Sequence, residues 1–223
     1  MVTAQPVPLT IELTDARLEG DLTLPGEAPG LVIFAHGSGS SRLSPRNRRV
    51  AHTLNEHGLG TLLFDLLTEA EDTDYATRFD IELLTRRLAA VVHWVRGERF
   101  GHRAIGLFGS STGSAAALRA AATLGPIVHA VVSRGGRPDL AGEALPAVYA
   151  PTLLIVGGSD YGVIELNRQA YATLRCEKRL AVVPGATHLF EEPGALEEVA
   201  RLAGEWFMTW LQRGEMEQAG AAP

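Results

Sequence analysis

Short apolar segments alternate with helical patterns along most of this chain, and that alternation leaves few folds open. The apolar segments lie at 31–35, 60–65, 105–108, 128–133, 152–156 and 179–183. Most are unbroken runs, as expected of strands buried on both faces. Ser44 and Pro45 form an N-cap and first-turn proline for a helix to about residue 57, where Gly58 stops it. Residues 78–96 carry apolar side chains at 81, 84, 88, 91, 92 and 95, one face of a helix. Further helices are expected at 114–123, 165–174 and 195–212. Near the start, 11–13 and 18–24 alternate in polarity and read as an antiparallel pair at a sheet edge. The pattern predicts an α/β domain with a mostly parallel central sheet of about seven or eight strands and helices on both faces.

No repeat or composition shift divides the 223 residues. One domain is expected over 1–213, followed by a flexible tail at 214–223, where the residues are small and polar. The net charge is −6, and the one basic cluster, Arg46, Arg48 and Arg49, reads as a solvated helix face. Nucleic acid is therefore not an expected partner. No apolar run approaches a membrane span, and residues 1–9 have neither the basic nor the apolar region of a signal peptide. A single cysteine, Cys176, cannot form an intrachain disulfide. These features predict a cytoplasmic protein, with no membrane partner, as a monomer or homodimer.

In parallel sheets of this kind ligands bind beyond the carboxyl ends of the strands. The polar clusters at 36–40, 109–113, 134–139, 157–160 and 185–188 all follow strands, so chemistry is expected along one rim. The second cluster is Gly109-Ser110-Ser111-Thr112-Gly113, between an apolar run and an alanine-rich helix. A G-x-S-x-G sequence in a strand–turn–helix setting is the pattern of a nucleophile elbow. Its tight turn needs glycine two positions either side of the serine, which makes Ser111 the candidate nucleophile. Ser110 has Phe108 and Thr112 at those positions.

A serine hydroxyl is a poor nucleophile at neutral pH and needs a base, which in turn needs an orienting acid. The order expected here is nucleophile, acid, histidine. Of seven histidines, only His36 and His188 lie beyond strand ends. His36 precedes the serine, so His188 is the candidate base. Asp160 is the candidate acid, four residues after the strand at 152–156. Asp139 competes for that role, six residues after the strand at 128–133, beyond Gly135-Gly136 and Pro138. Its longer approach suits a turn cap at 140–144 better than a fixed carboxylate. The loop His36-Gly37-Ser38-Gly39 supplies the second half of an oxyanion hole, with the N–H groups of Ser38 and Thr112 as donors. A phosphate-binding P-loop is excluded because no Gly-Lys-Ser/Thr follows, and the G-x-G-x-x-G dinucleotide fingerprint is absent. No metal-ligand spacing is present and this chemistry needs no cofactor.

With these motifs in view, the chain resembles the α/β-hydrolases, and among them the dienelactone hydrolase-like family. The matching pieces are Phe34 through Ser40, Gly109-x-Ser111-x-Gly113, Gly158-Ser159-Asp160 and Pro184 through His188. The resemblance implies a hydrolase with a Ser111–His188–Asp160 triad. Family members that open dienelactone carry cysteine at the nucleophile position. Ser111 therefore implies ordinary ester cleavage, with a small-molecule ester as substrate. A thioesterase, acyltransferase or peptide hydrolase, or a binding module, is the alternative. The interval 134–150 is too short for a multi-helix cap, so an open cleft is expected. An acidic loop at 66–76 is expected beside it, and His36, Arg42 and Arg134 are candidate substrate contacts.

Overall fold

In a computed structural model, described for residues 4–98, 100 and 102–220, eight strands form one sheet. The strands are β1 (Val7–Glu12), β2 (Arg17–Thr23), β3 (Gly30–Ala35), β4 (Gly60–Phe64), β5 (Ala104–Ser110), β6 (Val128–Arg134), β7 (Thr152–Gly157) and β8 (Lys178–Val183). Their order is β1-β2-β4-β3-β5-β6-β7-β8. The first two pairings are antiparallel and the remaining five parallel. The helices are α1 (Pro45–Glu56), α2 (Glu69–Asp72), α3 (Ile81–Gly97), α4 (Thr112–Leu124), α5 (Tyr161–Thr173) and α6 (Ala195–Gly220).

Strands β3, β4, β5 and β7 are buried along their whole length, as their unbroken apolar runs require. Leu31, Ile33, Leu107 and Val131 face a layer built from α3, α4 and α5. Val32, Phe34, Phe108 and Val132 face α1 and α6, which bring Val50, Leu54, Val199, Phe207 and Leu211. Alternate side chains along each strand thus fill two cores on opposite faces. Only a 3₁₀ segment, Pro138–Ala147, stands where a cap would be inserted after β6, and among the described residues no large cap covers the rim.

Several boundaries differ from expectation. The helix expected at 78–96 begins at Ile81, because the Asp80 side chain accepts the Leu83 N–H at 2.9 Å. Arg78 lies in the preceding 3₁₀ turn and donates to the Asp72 carbonyl. Helix α5 starts at Tyr161, four residues earlier than read from the pattern. The acidic loop at 66–76 contains α2, closed by a capping box between Thr68 and Glu71. Glu71 is also bound by the buried Arg87, so this segment is tied to α3, while Glu69 and Asp72 line a cavity beside the β3 loop. Helix α6 continues to Gly220, where a tail was expected, and residues 221–223 lie outside the described residues.

Candidate active site

The site begins at the junction of β5 and α4. Ser111 has φ 50° and ψ −122°, a left-handed conformation that a residue with a side chain adopts only under constraint. Such strain costs on the order of 1–3 kcal/mol. Two backbone bonds to the end of β6 and the loop after it hold it: Ser111 N–H donates to the Arg134 carbonyl at 3.3 Å, and Arg137 N–H donates to the Ser111 carbonyl at 3.1 Å. A methyl group on Gly113 would overlap the carbonyl oxygens of Ala35 and His36, and one on Gly109 would overlap the backbone of Ser114. The glycines at ±2 are therefore imposed by backbone-to-backbone contact. Gly113→Ala is expected to lose about 3 kcal/mol or more, since neither carbonyl can retreat without displacing β3 or its loop. Urea unfolding checks this, and a variant as stable as the parent would contradict it.

His188 follows β8 and Asp160 follows β7. The two loops are stitched together by Gly158 N–H donating to the Val183 carbonyl at 2.8 Å and Ser159 N–H to the Ala186 carbonyl at 2.9 Å. His188 Nδ1 lies 2.7 Å from Asp160 Oδ2. The Asp160 side chain is 15% exposed and that of His188 39%. Asp160 occupies the N-cap position of α5 but makes no capping bond, which leaves its carboxylate to the imidazole. Two residues after the histidine, Phe190 is buried and has φ 57°, anchoring a sharp bend in the loop.

Asp139 is elsewhere. It is the second residue of the 3₁₀ segment rather than a cap, and its carboxylate takes Nε and Nη2 of Arg137 at 2.9 and 2.7 Å. Neither Ser111 Oγ nor His188 Nε2 has a hydrogen-bond partner among the described residues, so both remain available to a ligand. Catalytic hydrogen bonds in unliganded sites commonly tighten only once substrate is bound.

The two expected oxyanion donors meet in an unforeseen way. Ser38 N–H donates to the Thr112 hydroxyl at 2.9 Å, so it is not free in this state. Thr112 is the first residue of α4, and its own N–H belongs to the group a helix cannot satisfy internally. Gly37 packs against Ser111, with its α-carbon substituent position 3.1 Å from Ser111 Cβ. The loop after β3 therefore sits against the elbow.

The candidate substrate contacts fare differently. His36 is buried; its Nε2 accepts the Leu66 N–H at 3.0 Å, and Nδ1 lies 2.9 Å from the Gly37 carbonyl. Both nitrogens are thus spent on backbone, which corrects the expectation that it touches substrate. Its role is to hold the β3 and β4 loops together as a neutral imidazole with the proton on Nδ1. Burial lowers its pKa, and the Gly37 carbonyl, Asp65 and Asp72 only partly oppose this. In the unfolded chain the ring binds protons more readily. Its stabilising contribution is therefore complete above the unfolded value near 6.5 and is lost as pH falls below it. Urea unfolding at pH 7.5 and 5.5 should show a drop in stability that His36→Gln reduces; an unchanged drop would count against this role.

Arg42 is likewise committed. Its guanidinium and backbone N–H both bind Asp65, and its Nε lies 3.9 Å from Asp21. It is a loop clamp, not an open anion site. Arg134 is different. It is 7% exposed, pairs with no carboxylate, and has its guanidinium carbon 6.0 Å from the Phe190 ring centroid. Burial, reinforced by the charge of Arg46, pushes its pKa down to about 10, which leaves it cationic at neutral pH. Its environment could not be read from sequence: only the fold reveals that the residue closing β6 finds no counter-charge. Among the described residues no group of three or more His, Cys, Asp or Glu is placed to hold a metal ion. No helix there is long and apolar enough to cross a membrane.

A dienelactone hydrolase from Anabaena variabilis superposes on this structure with a TM-score of 0.92 and 53% identity, covering 94% of this chain and 100% of that one. The chain belongs to the dienelactone hydrolase family. The family's α/β-hydrolase fold extends to more distant structures. Est1E from Butyrivibrio proteoclasticus matches with a TM-score of 0.78 at 20% identity, over 91% of this chain and 98% of its own. No protein-family model matches the chain. Proteins named "Putative phosphoribosyl transferase" in two strains of Mycobacterium tuberculosis are 54% identical over 211 residues, 94% of the chain. The chain spans 46% of the length of those curated relatives. Family and fold agree in placing the chain among the α/β-hydrolases.

Proposed function

We propose that this enzyme hydrolyses small carboxylic esters through an acyl-enzyme intermediate. The observation that carries the reading is the 2.7 Å contact between His188 Nδ1 and Asp160 Oδ2, taken together with a serine held in a strained strand–helix turn. With Nδ1–H donated to Asp160, the Nε2 lone pair is left to take the proton from Ser111 Oγ. Ser111 attacks the ester carbonyl, and the developing oxyanion is received by the N–H of Thr112. The Ser38 N–H joins it by leaving the Thr112 hydroxyl for the stronger, charged acceptor. His188 then protonates the departing alcohol. Water, activated by the same imidazole, attacks the acyl-enzyme and restores Ser111.

Thioester cleavage and acyl transfer would use the same intermediate and differ only in leaving group or acceptor. The transferase name belongs to proteins more than twice as long as the matched segment, so the hydrolase reading is proposed for this chain alone. A cleft of 310 Å³ beside the β3 loop is lined largely by charged side chains, among them Arg17, Glu19, Asp65 and Glu69. Only the short Pro138–Ala147 segment stands where a cap would be inserted, so a long acyl chain has little surface to bury. Each additional buried CH₂ would otherwise bring about 0.8 kcal/mol.

The test is a fluorophosphonate probe followed by an acyl-ester and thioester panel. Covalent labelling at Ser111 and a preference for acyl groups of about two to six carbons are expected. An unlabelled, folded protein would sink the hydrolase reading. A steady rise in kcat/KM to long chains would sink the open-cleft reading.

A further inference from the structure

Among the described residues two arginines are deeply buried, and they are treated in opposite ways. Arg87, 2% exposed, is held by the carboxylates of Glu71 and Asp15. Arg134, 7% exposed, has no carboxylate, and its Nε and Nη1 are buried without a hydrogen-bond partner. A guanidinium taken out of water without a counter-charge is costly, and a ring centroid at 6.0 Å lies at the outer edge of a cation–π contact. Its Nη2 is not among the buried, unpartnered atoms and is the nitrogen through which a ligand would first reach it.

The surroundings of Arg134 are also positive. Arg46 reaches the same loop from α1, donating Nη1 to Glu191 Oε1 at 2.9 Å, one residue on from the Phe190 ring that Arg134 faces. Arg46 stands in the first turn of α1, with Arg48 and Arg49, and that turn holds no acidic residue. Cations are unfavourable at a helix N-terminus, where the dipole presents positive potential. Within this turn Pro45 has no N–H, the Asn47 N–H is capped by Ser44 Oγ, and the Arg46 N–H has no acceptor among the described residues. The Arg46 side chain binds Glu191, which is 63% exposed, a pairing that a stronger anion can displace at little cost. Arg134 and Arg46 therefore approach adjacent residues of the histidine loop, Phe190 and Glu191. Arg134 is further linked to the elbow, since its carbonyl accepts the Ser111 N–H.

We propose that Arg134, Arg46 and the N-terminus of α1 form a subsite for a phosphomonoester group carried by the substrate. A helix N-terminus flanked by two guanidinium groups suits a dianion with several acceptor oxygens better than a single carboxylate. The basic cluster on α1 is thus only partly a solvated face. Arg48 and Arg49 pair with Asp21 and Glu197 at the surface, whereas Arg46 pairs with Glu191 of the histidine loop. This inference rests on the proposed ester hydrolysis for the word substrate, but phosphate binding can be measured without it.

Inorganic phosphate is the probe, titrated calorimetrically into the whole chain at low chloride, beside acetate and chloride. Phosphate is expected to bind at least tenfold more tightly than acetate. Arg134→Gln should weaken phosphate at least tenfold, Arg134→Lys should recover part of the loss, and Arg119→Gln, on α4, should have no effect. Should Arg134→Gln fail to fold, Arg46→Gln is expected to weaken phosphate severalfold on its own. Binding of acetate as tight as phosphate, or phosphate binding indifferent to Arg134 and Arg46, overturns the proposal. In a second arm, matched acetyl esters with and without a phosphomonoester group are compared. The phosphorylated ester should show the higher kcat/KM, and Arg134→Gln should shrink that ratio at least tenfold. If Ser111 takes no fluorophosphonate while phosphate still binds through Arg134, the hydrolase reading falls and the anion site stands.

Discussion

Ser111→Ala should abolish ester hydrolysis while leaving the fold in place. The Ser111 hydroxyl makes no hydrogen bond among the described residues, so its removal takes away no structural contact. The strained backbone is held by the Arg134 carbonyl and the Arg137 N–H, and neither depends on the side chain. Alanine has the same backbone preferences there, so the change in stability should stay below about 1 kcal/mol. The loss in kcat should be roughly 10³-fold or more, because without an attacking oxygen no acyl-enzyme forms. Steady-state kinetics with a short acyl ester, together with urea unfolding, decide the matter. A well-folded alanine variant that kept near-parental turnover would mean that another group is the nucleophile.

The second large effect concerns the acid. Asp160→Asn should lower kcat by about 10²- to 10⁴-fold. An amide in place of the carboxylate can offer its NH₂ to His188 Nδ1, which favours the tautomer with its proton on Nε2. The imidazole would then have no lone pair facing Ser111, and the imidazolium formed during attack would lose its counter-charge. Asp139→Asn should behave otherwise. It weakens the paired bonds with Arg137, whose exposed guanidinium makes the pair worth about 1 kcal/mol or less. A modest fall in stability with turnover largely kept is expected. The reverse outcome, with Asp139→Asn silencing the enzyme and Asp160→Asn leaving it active, would remove Asp160 from its proposed role.

Much of this molecule was legible in its sequence for a simple reason. A strand buried on both faces must be apolar throughout, and a turn that forces backbone against backbone must contain glycine. The apolar runs at 31–35 and 105–108 and the glycines at 109 and 113 are local records of those demands. Element ends were less legible. Asp80 stops α3 from starting earlier through one side-chain bond, and α6 continues through small polar residues that read as a tail. The order in which the strands pair also lies beyond any local signal.

What the sequence determined by itself was the fold class, the strained serine and the loops that carry the histidine and the competing aspartates. Only the tertiary structure decided which aspartate faces His188, because that depends on how the β7 and β8 loops are stitched across the sheet edge. It also decided the fates of three polar residues with similar prospects in the sequence. His36 is consumed by backbone, Arg42 by Asp65, and Arg134 is left buried without a counter-charge. A side chain's chemical availability is set by its neighbours in space, and residues 134, 46 and 190 become neighbours only when the sheet has formed.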